Sequence, residues 1–288
     1  MFCGSYVAMV TPFKNGEIDE ESLVKMVNWQ IESGTSGLVP VGTTGEASTV
    51  TSEEHKQVLK IVVEEADGRI PVIAGAGSNN PIEALDYAQT AQRIGADGVL
   101  CVAGYYNRPS QLGLLEHFKY IHDNTDIPMI IYNVPPRTIV DVLPETMAVL
   151  SQLPRVVGVK DATADLARIS LEQLGITKPF SYLSGEDMTA LAYNAMGGQG
   201  CISVTANIAP KLCAQMQNAC KEGNYTRALQ LHQKLVPIHK ALFLEPSPAG
   251  VKYAAFLLGL CEEKVRLPIM PVGKKTKELI ETALAALD

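Results

Sequence analysis

The sequence predicts a closed (β/α)8 barrel, a TIM barrel, carrying a three-helix appendage at its C-terminal end. Three observations predict it. Short apolar runs alternate with amphipathic segments eight times, at intervals of roughly 20 to 35 residues. The alternation is strict, as expected of parallel strands joined by crossover helices. After about Glu222 the strand-like runs stop and only helical patterns remain. Residues 1–223 are therefore read as the barrel and 224–288 as a helical region. An open doubly wound sheet is the structural alternative, but it usually has fewer strands and a Gly-rich turn after the first. Here the first turn is Thr11-Pro12-Phe13.

Taken in order, Ser5–Val10 is the first strand, and 21–33 shows helical periodicity through Leu23, Met26, Val27 and Ile31 before Gly34 stops it. Gly37–Val41 is the second strand. A helix follows with Ser52 as its cap and Glu53 and Glu54 in its first turn, where acids suit the helix dipole. Strands at 70–74, 98–102, 128–132, 156–160, 181–184 and 200–204 then alternate with helices at 81–94, 112–122, from Pro144, 166–174, 188–196 and 210–221. The appendage comprises helices at 225–244, 249–260 and 274–287, separated by two proline-bearing connections.

A chain of 288 residues can bury about 75% of the surface its unfolded form exposes, so it needs no staples. Its net charge of −7 argues against a nucleic-acid partner. The six cysteines show no C-x-x-C spacing, and reduced, mostly buried thiols are the economical reading. The five histidines form no metal-ligating set, so no metal is expected. No apolar run approaches the roughly 18 residues of a membrane span. Met1-Phe2-Cys3-Gly4 leads straight into a strand, which points to a cytoplasmic protein without a signal peptide.

In such barrels the chemistry lies where the strands end. The run Val156-Val157-Gly158-Val159-Lys160 reads as a strand buried on both faces, with one lysine at its far end. Burial disfavours a charged amine, and a neutral amine attacks carbonyls to form Schiff bases. The plainer alternative is a lysine that reaches solvent and pairs with Asp161. The second strand delivers Gly42-Thr43-Thr44-Gly45-Glu46, whose N–H groups and hydroxyls suit a small anion, or which is simply a Gly-rich turn. The fourth ends in Tyr105-Tyr106 and the fifth in Tyr132, phenols that either move protons or pack with a polar tip. Arg137, on a proline-stiffened loop, presents a planar fork to a carboxylate. The seventh strand gives Gly185-Glu186-Asp187 and the eighth Gly200-Cys201-Ile202-Ser203. The set suits carbonyl chemistry on a small carboxylate, and neither a cofactor fingerprint nor a Ser-His-Asp set accompanies it.

Gly42-Thr43-Thr44-Gly45-Glu46, Tyr132-Asn133-Val134-Pro135, Val159-Lys160-Asp161 and Gly197-Gly198-Gln199-Gly200-Cys201-Ile202-Ser203 occur together and in this order. On these motifs the chain resembles the pyruvate-dependent class I aldolase family, which includes N-acetylneuraminate lyase, over essentially its whole length. The resemblance is closest to the branch that condenses pyruvate with L-aspartate 4-semialdehyde to 4-hydroxy-tetrahydrodipicolinate, the committed step of diaminopimelate and lysine biosynthesis. It implies that Lys160 forms the Schiff base and that Tyr132, Thr44 and Tyr106 move protons. Thr43 and Thr44 would hold the pyruvate carboxylate, with Gly185 and Ile202 also at the substrate, and Arg137 would take the acceptor's carboxylate. No cofactor is implied. The tyrosine matching Tyr106 comes from a neighbouring subunit in this family, which implies a homotetramer built as a dimer of dimers. Ser48, His55, Asn79, Glu83 and Tyr105 match the lining of a lysine feedback site. N-acetylneuraminate lyase and the keto-deoxy sugar-acid aldolases remain the alternative, against which the paired threonines and Arg137 speak. One departure touches fine specificity: Glu245-Pro246-Ser247-Pro248-Ala249-Gly250-Val251-Lys252 has serine and glycine where the branch often has asparagine and proline.

Overall fold

A computed structural model describes residues 1–287. Its elements in chain order are β1 (Gly4–Ala8), β2 (Phe13–Lys14), β3 (Glu17–Ile18), α1 (Glu20–Glu32), β4 (Gly37–Val39), α2 (Ser52–Ala66), β5 (Ile73–Gly75), α3 (Pro81–Ile94), β6 (Gly98–Val102), α4 (Gln111–Asp123), β7 (Met129–Asn133), α5 (Pro135–Thr138), α6 (Pro144–Ser151), β8 (Val156–Asp161), α7 (Ala167–Gly175), β9 (Ser181–Ser184), α8 (Ala190–Ala195), β10 (Gly200–Ser203), α9 (Pro210–Lys221), α10 (Tyr225–Ala241), α11 (Ala249–Leu257) and α12 (Lys274–Ala285). Eight strands form one parallel sheet in the order β4-β1-β10-β9-β8-β7-β6-β5, the TIM barrel that the alternation predicts. The antiparallel pair β2–β3, with Phe13 opposite Ile18, is an addition that the sequence did not announce.

The chain forms two compact units. One is Met1–Cys3 with Ile73–Ile202, and the other is Gly4–Val72 with the residues from Ser203 onward. In the first, β5 to β9 are almost wholly buried, which is why they read as continuous apolar runs rather than alternating ones. Between Met129 and Ile130 the β7–β8 register shifts by one residue, from Met129↔Val156 to Ile130↔Gly158. Beyond the shift Tyr132 is the register partner of Lys160. Gly158 permits the close approach of β8 to β9, because a Cβ there would lie 2.7 Å from the Ser181 carbonyl oxygen. Asn80 caps α3, Pro81 occupies its first turn where no donor is missed, and Gly95 at φ 86° ends it.

In the second unit β1 and β4 pair from Tyr6↔Gly37 to Ala8↔Val39. The buried Asn207 side chain donates to the Ala8 carbonyl at 2.7 Å and accepts from the Val10 amide at 3.0 Å, so it holds the exit of β1. The cap of α2 is Thr51 rather than Ser52. Its hydroxyl accepts from the Glu54 amide while the Glu54 carboxylate accepts from the Thr51 amide. Ser52 lacks that role because the helix already begins at it; the reciprocal geometry needs the glutamate three residues beyond the cap. Helix α10 packs on α9 and α12, and α11 on α12.

Candidate active site

Lys160 lies in β8 with only 6% of its surface exposed, and its Nζ sits 4.2 Å from the centre of the Tyr132 ring. Tyr132, 7% exposed, is on the adjacent strand β7. The alternative pairing of Lys160 with Asp161 does not form: consecutive strand residues point to opposite faces, and the Asp161 carboxylate accepts instead from the Thr163 amide at 2.8 Å. An amine that is buried against a phenol and not paired with the adjacent Asp161 is placed for carbonyl addition with a proton donor at hand.

Gly185, at the end of β9, leaves room for the lysine stem. A Cβ there would stand 3.1 Å from Lys160 Cε and 2.8 Å from Ala162 Cβ. Its amide donates to the Asp161 carbonyl at 2.6 Å, tying the ends of β8 and β9 together. The next residue, Glu186, has its carboxyl pushed up by burial, against the lowering effect of the Met188 amide and of the Lys160 charge. Glu186 is thus an electrostatic neighbour of the lysine, a role that its sequence position beside Gly185 did not reveal.

On the other face of these strands lies a buried polar network. Asn133, next to Tyr132, donates to Asp141 at 2.8 Å and accepts from the Val142 amide at 3.1 Å. Arg168 reaches Asp141 at 2.9 Å and donates from Nε to Glu172 at 3.0 Å. Burial pushes the Asp161 carboxyl up and that of Glu172 up to about 7. Burial also raises the Tyr193 phenol, helped by Asp161 and Glu172. These charges flank the residues that carry Lys160 and Tyr132, and so fix the strand ends from behind.

Arg137 stands on the short helix α5, not on a loop, because two prolines suit the first turn of a helix and the Thr138 hydroxyl bridges the Val134 and Val140 carbonyls. Its side chain is exposed. Tyr106 is 91% exposed and held at φ 67°, a left-handed conformation uncommon for a bulky residue. Its loop is anchored where Asn107 donates to the Asn79 carbonyl at 3.0 Å. Ile202 is buried in β10. Asn79 lines an open cleft of about 590 Å³ with Asn107, Glu116, His117 and Tyr120. Glu83 accepts from the Tyr87 hydroxyl at 3.3 Å, and Tyr105 is half-buried.

In the second unit, the turn after β4 carries Thr43 exposed and Thr44 buried. It is held by the Thr11 hydroxyl, which donates to the Gly45 carbonyl at 2.7 Å, and by the Glu46 amide, which donates to the Thr43 carbonyl at 3.1 Å. Ser48 is exposed on the same segment, and His55 is buried on α2.

The model of the dihydrodipicolinate synthetase family matches residues 1–287. The chain belongs to that family. A relative from Parvibaculum lavamentivorans, 4-hydroxy-tetrahydrodipicolinate synthase, is 56% identical over 99% of this chain and 98% of its own. The dihydrodipicolinate synthase of Acinetobacter baumannii, solved in complex with pyruvate, is 42% identical with a TM-score of 0.97, covering 100% of this chain and 99% of that one. A solved monomeric dihydrodipicolinate synthase variant is 42% identical with a TM-score of 0.97, over 99% and 97% of the two chains. The enzyme of Cyanidioschyzon merolae, solved with lysine bound, is 31% identical with a TM-score of 0.96, over 99% and 98%. These matches run over the barrel strands and the C-terminal helices alike.

Proposed function

We propose that this chain condenses pyruvate with L-aspartate 4-semialdehyde to 4-hydroxy-tetrahydrodipicolinate, through an imine on Lys160, in diaminopimelate and lysine biosynthesis. The observation that carries the reading is the buried Lys160 amine 4.2 Å from the Tyr132 ring, in a member of this family. Nζ adds to the keto carbon of pyruvate, and loss of water leaves the imine. Loss of a methyl proton gives an enamine, whose terminal carbon attacks the aldehyde carbon of the second substrate. The alkoxide takes up a proton, and the substrate's own amine then adds to the imine carbon and expels Lys160 as the ring closes.

Tyr132 moves these protons through Thr44 and through Tyr106 of a neighbouring subunit; the exposure of Tyr106 supports its service outside its own chain. Thr43, Thr44 and the backbone near Ile202 hold the pyruvate carboxylate beside Gly185. The exposed fork of Arg137 takes the carboxylate of the second substrate. Residues 1–223 carry the reaction and 224–288 supply packing and assembly surface, in a cytoplasmic homotetramer. No helix among the described residues is long and apolar enough to cross a membrane.

Lysine is the proposed feedback inhibitor, at Ser48, His55, Asn79, Glu83 and Tyr105, with Glu83 taking its amino group. The lysine-bound relative supports this. Calorimetry that detects no heat with millimolar lysine removes it. For the main reaction, pyruvate consumption with L-aspartate 4-semialdehyde is measured in wild type and in Lys160→Ala. Consumption by wild type alone is expected, together with borohydride trapping of pyruvate on Lys160. Normal turnover by Lys160→Ala overturns the imine mechanism.

A further inference from the structure

The turn that carries Thr43 and Thr44 ends in Glu46, a residue held at φ 56° and with a side chain only 3% exposed. A buried carboxylate must be paired, and this one is paired from the far end of the chain. Lys252 of α11, with no exposed side-chain surface, brings its Nζ to 2.6 Å from Glu46 Oε1. The other oxygen, Oε2, accepts from the Arg266 amide at 2.8 Å. Lys252 is itself fully engaged: it donates to the Lys264 carbonyl at 2.6 Å and lies 4.0 Å over the Phe13 ring, which Arg266 also covers at 4.2 Å. Burial pushes the Lys252 ammonium down, and Glu46 opposes that shift. The same lysine closes the run Glu245–Lys252 that departs from the branch pattern. There Gly250 lets α11 start against the end of α10, since a Cβ would lie 2.5 Å from the Leu242 carbonyl oxygen.

We propose that Lys252 is a positioning residue for the threonine turn: acting through Glu46, it holds the backbone and hydroxyls of Thr43 and Thr44 where they receive the carboxylate of the keto acid. The inference rests on the role given to those threonines above. It makes a distinction that plain structural support does not. Loosening the turn weakens the hold on pyruvate and leaves the grip of Arg137 on the second substrate alone.

The test compares wild type, Lys252→Met and the double variant Glu46→Gln/Lys252→Met by steady-state kinetics in each substrate and by borohydride trapping against pyruvate concentration. For Lys252→Met the apparent KM for pyruvate is expected to rise by about tenfold or more, with the KM for L-aspartate 4-semialdehyde within about twofold of wild type. Trapping should shift to higher pyruvate in parallel. The double variant leaves no unpaired buried charge, so it keeps the fold even if the single variant loses it, and it should keep the raised pyruvate KM. A fall in kcat with both KM values unchanged, or a double variant with the wild-type pyruvate KM, overturns the inference. Failure of wild type to trap pyruvate at all brings down the proposed function, and this inference with it. Normal trapping with unshifted variants brings down the inference alone.

Discussion

Glu172 has no exposed side-chain surface, and Arg168 binds only one of its two oxygens, so the carboxyl is pushed up to about 7 chiefly by burial. The unfolded chain keeps the ordinary value near 4.5. A carboxyl raised in the folded state contributes stability that is present below pH 4.5 and declines as pH rises through about 7. The change amounts to about 3 kcal/mol. Glu172→Gln should therefore flatten the dependence of melting temperature on pH between 4.5 and 7, and an unchanged slope would assign that dependence to other groups. A second residue-scale prediction concerns Gly185. An added Cβ would meet Lys160 Cε at 3.1 Å, so Gly185→Ala should cut borohydride trapping of pyruvate by about tenfold or more, while circular dichroism stays that of wild type. At this scale the burial of Lys160 was legible because a lone amine stands at the far end of a valine-rich run. Glu186 and the Asn133–Asp141–Arg168 part of the network were not, since those links join residues from different parts of the chain. Only the Arg168–Glu172 link, four residues apart on α7, follows a local spacing.

Among the elements, the start of α2 shows how a local signal and a distant one combine. The Thr51–Glu54 capping box is local, and Arg266 adds a fork to the Glu54 carboxylate with both contacts at 2.6 Å. Hydrogen bonding from Arg266 is the main reason why the Glu54 carboxyl falls to about 2. A lowered carboxyl contributes stability above its unfolded value of 4.5 that is lost as pH falls towards 2. Arg266→Lys keeps the charge but not the planar fork, so the acid unfolding midpoint should move to higher pH. Thr51→Ala should cost about 1 kcal/mol in denaturant titrations without moving that midpoint as far. The capping signal was visible in the sequence one residue out of place, because serine and threonine stand side by side and both are good caps. The β2–β3 pair was invisible for a different reason: strands of two residues are too short to show alternation. The α5 turn was hidden by Pro135-Pro136, which reads equally as a stiff loop.

At the scale of the whole molecule, eight repeats of strand and helix were legible because short runs that are buried alternate with amphipathic segments, and the order of the sheet follows from that connectivity. The grouping of Gly4–Val72 with the chain from Ser203 onward was not, since it depends on contacts such as Asn207 with Ala8 and Lys252 with Glu46 that span roughly two hundred residues. The proposed assembly turns on one residue. Tyr106 is 91% exposed on a loop held at positive φ, a conformation that costs free energy and persists where surrounding contacts impose it. If its phenol serves a neighbouring site, Tyr106→Phe and Lys160→Ala each lack one part of every homomeric site. A two-fold pair formed from one of each contains one intact site, with Lys160 from one protomer and Tyr106 from its partner. Equal mixing with free exchange should thus restore about a quarter of wild-type sites. The measurement is pyruvate consumption before and after the two purified variants are dissociated and reassembled together. Recovery at that level establishes the shared site. A mixture that stays as inactive as its components confines Tyr106 to its own chain, and the monomeric relative then becomes the better guide to how this barrel works.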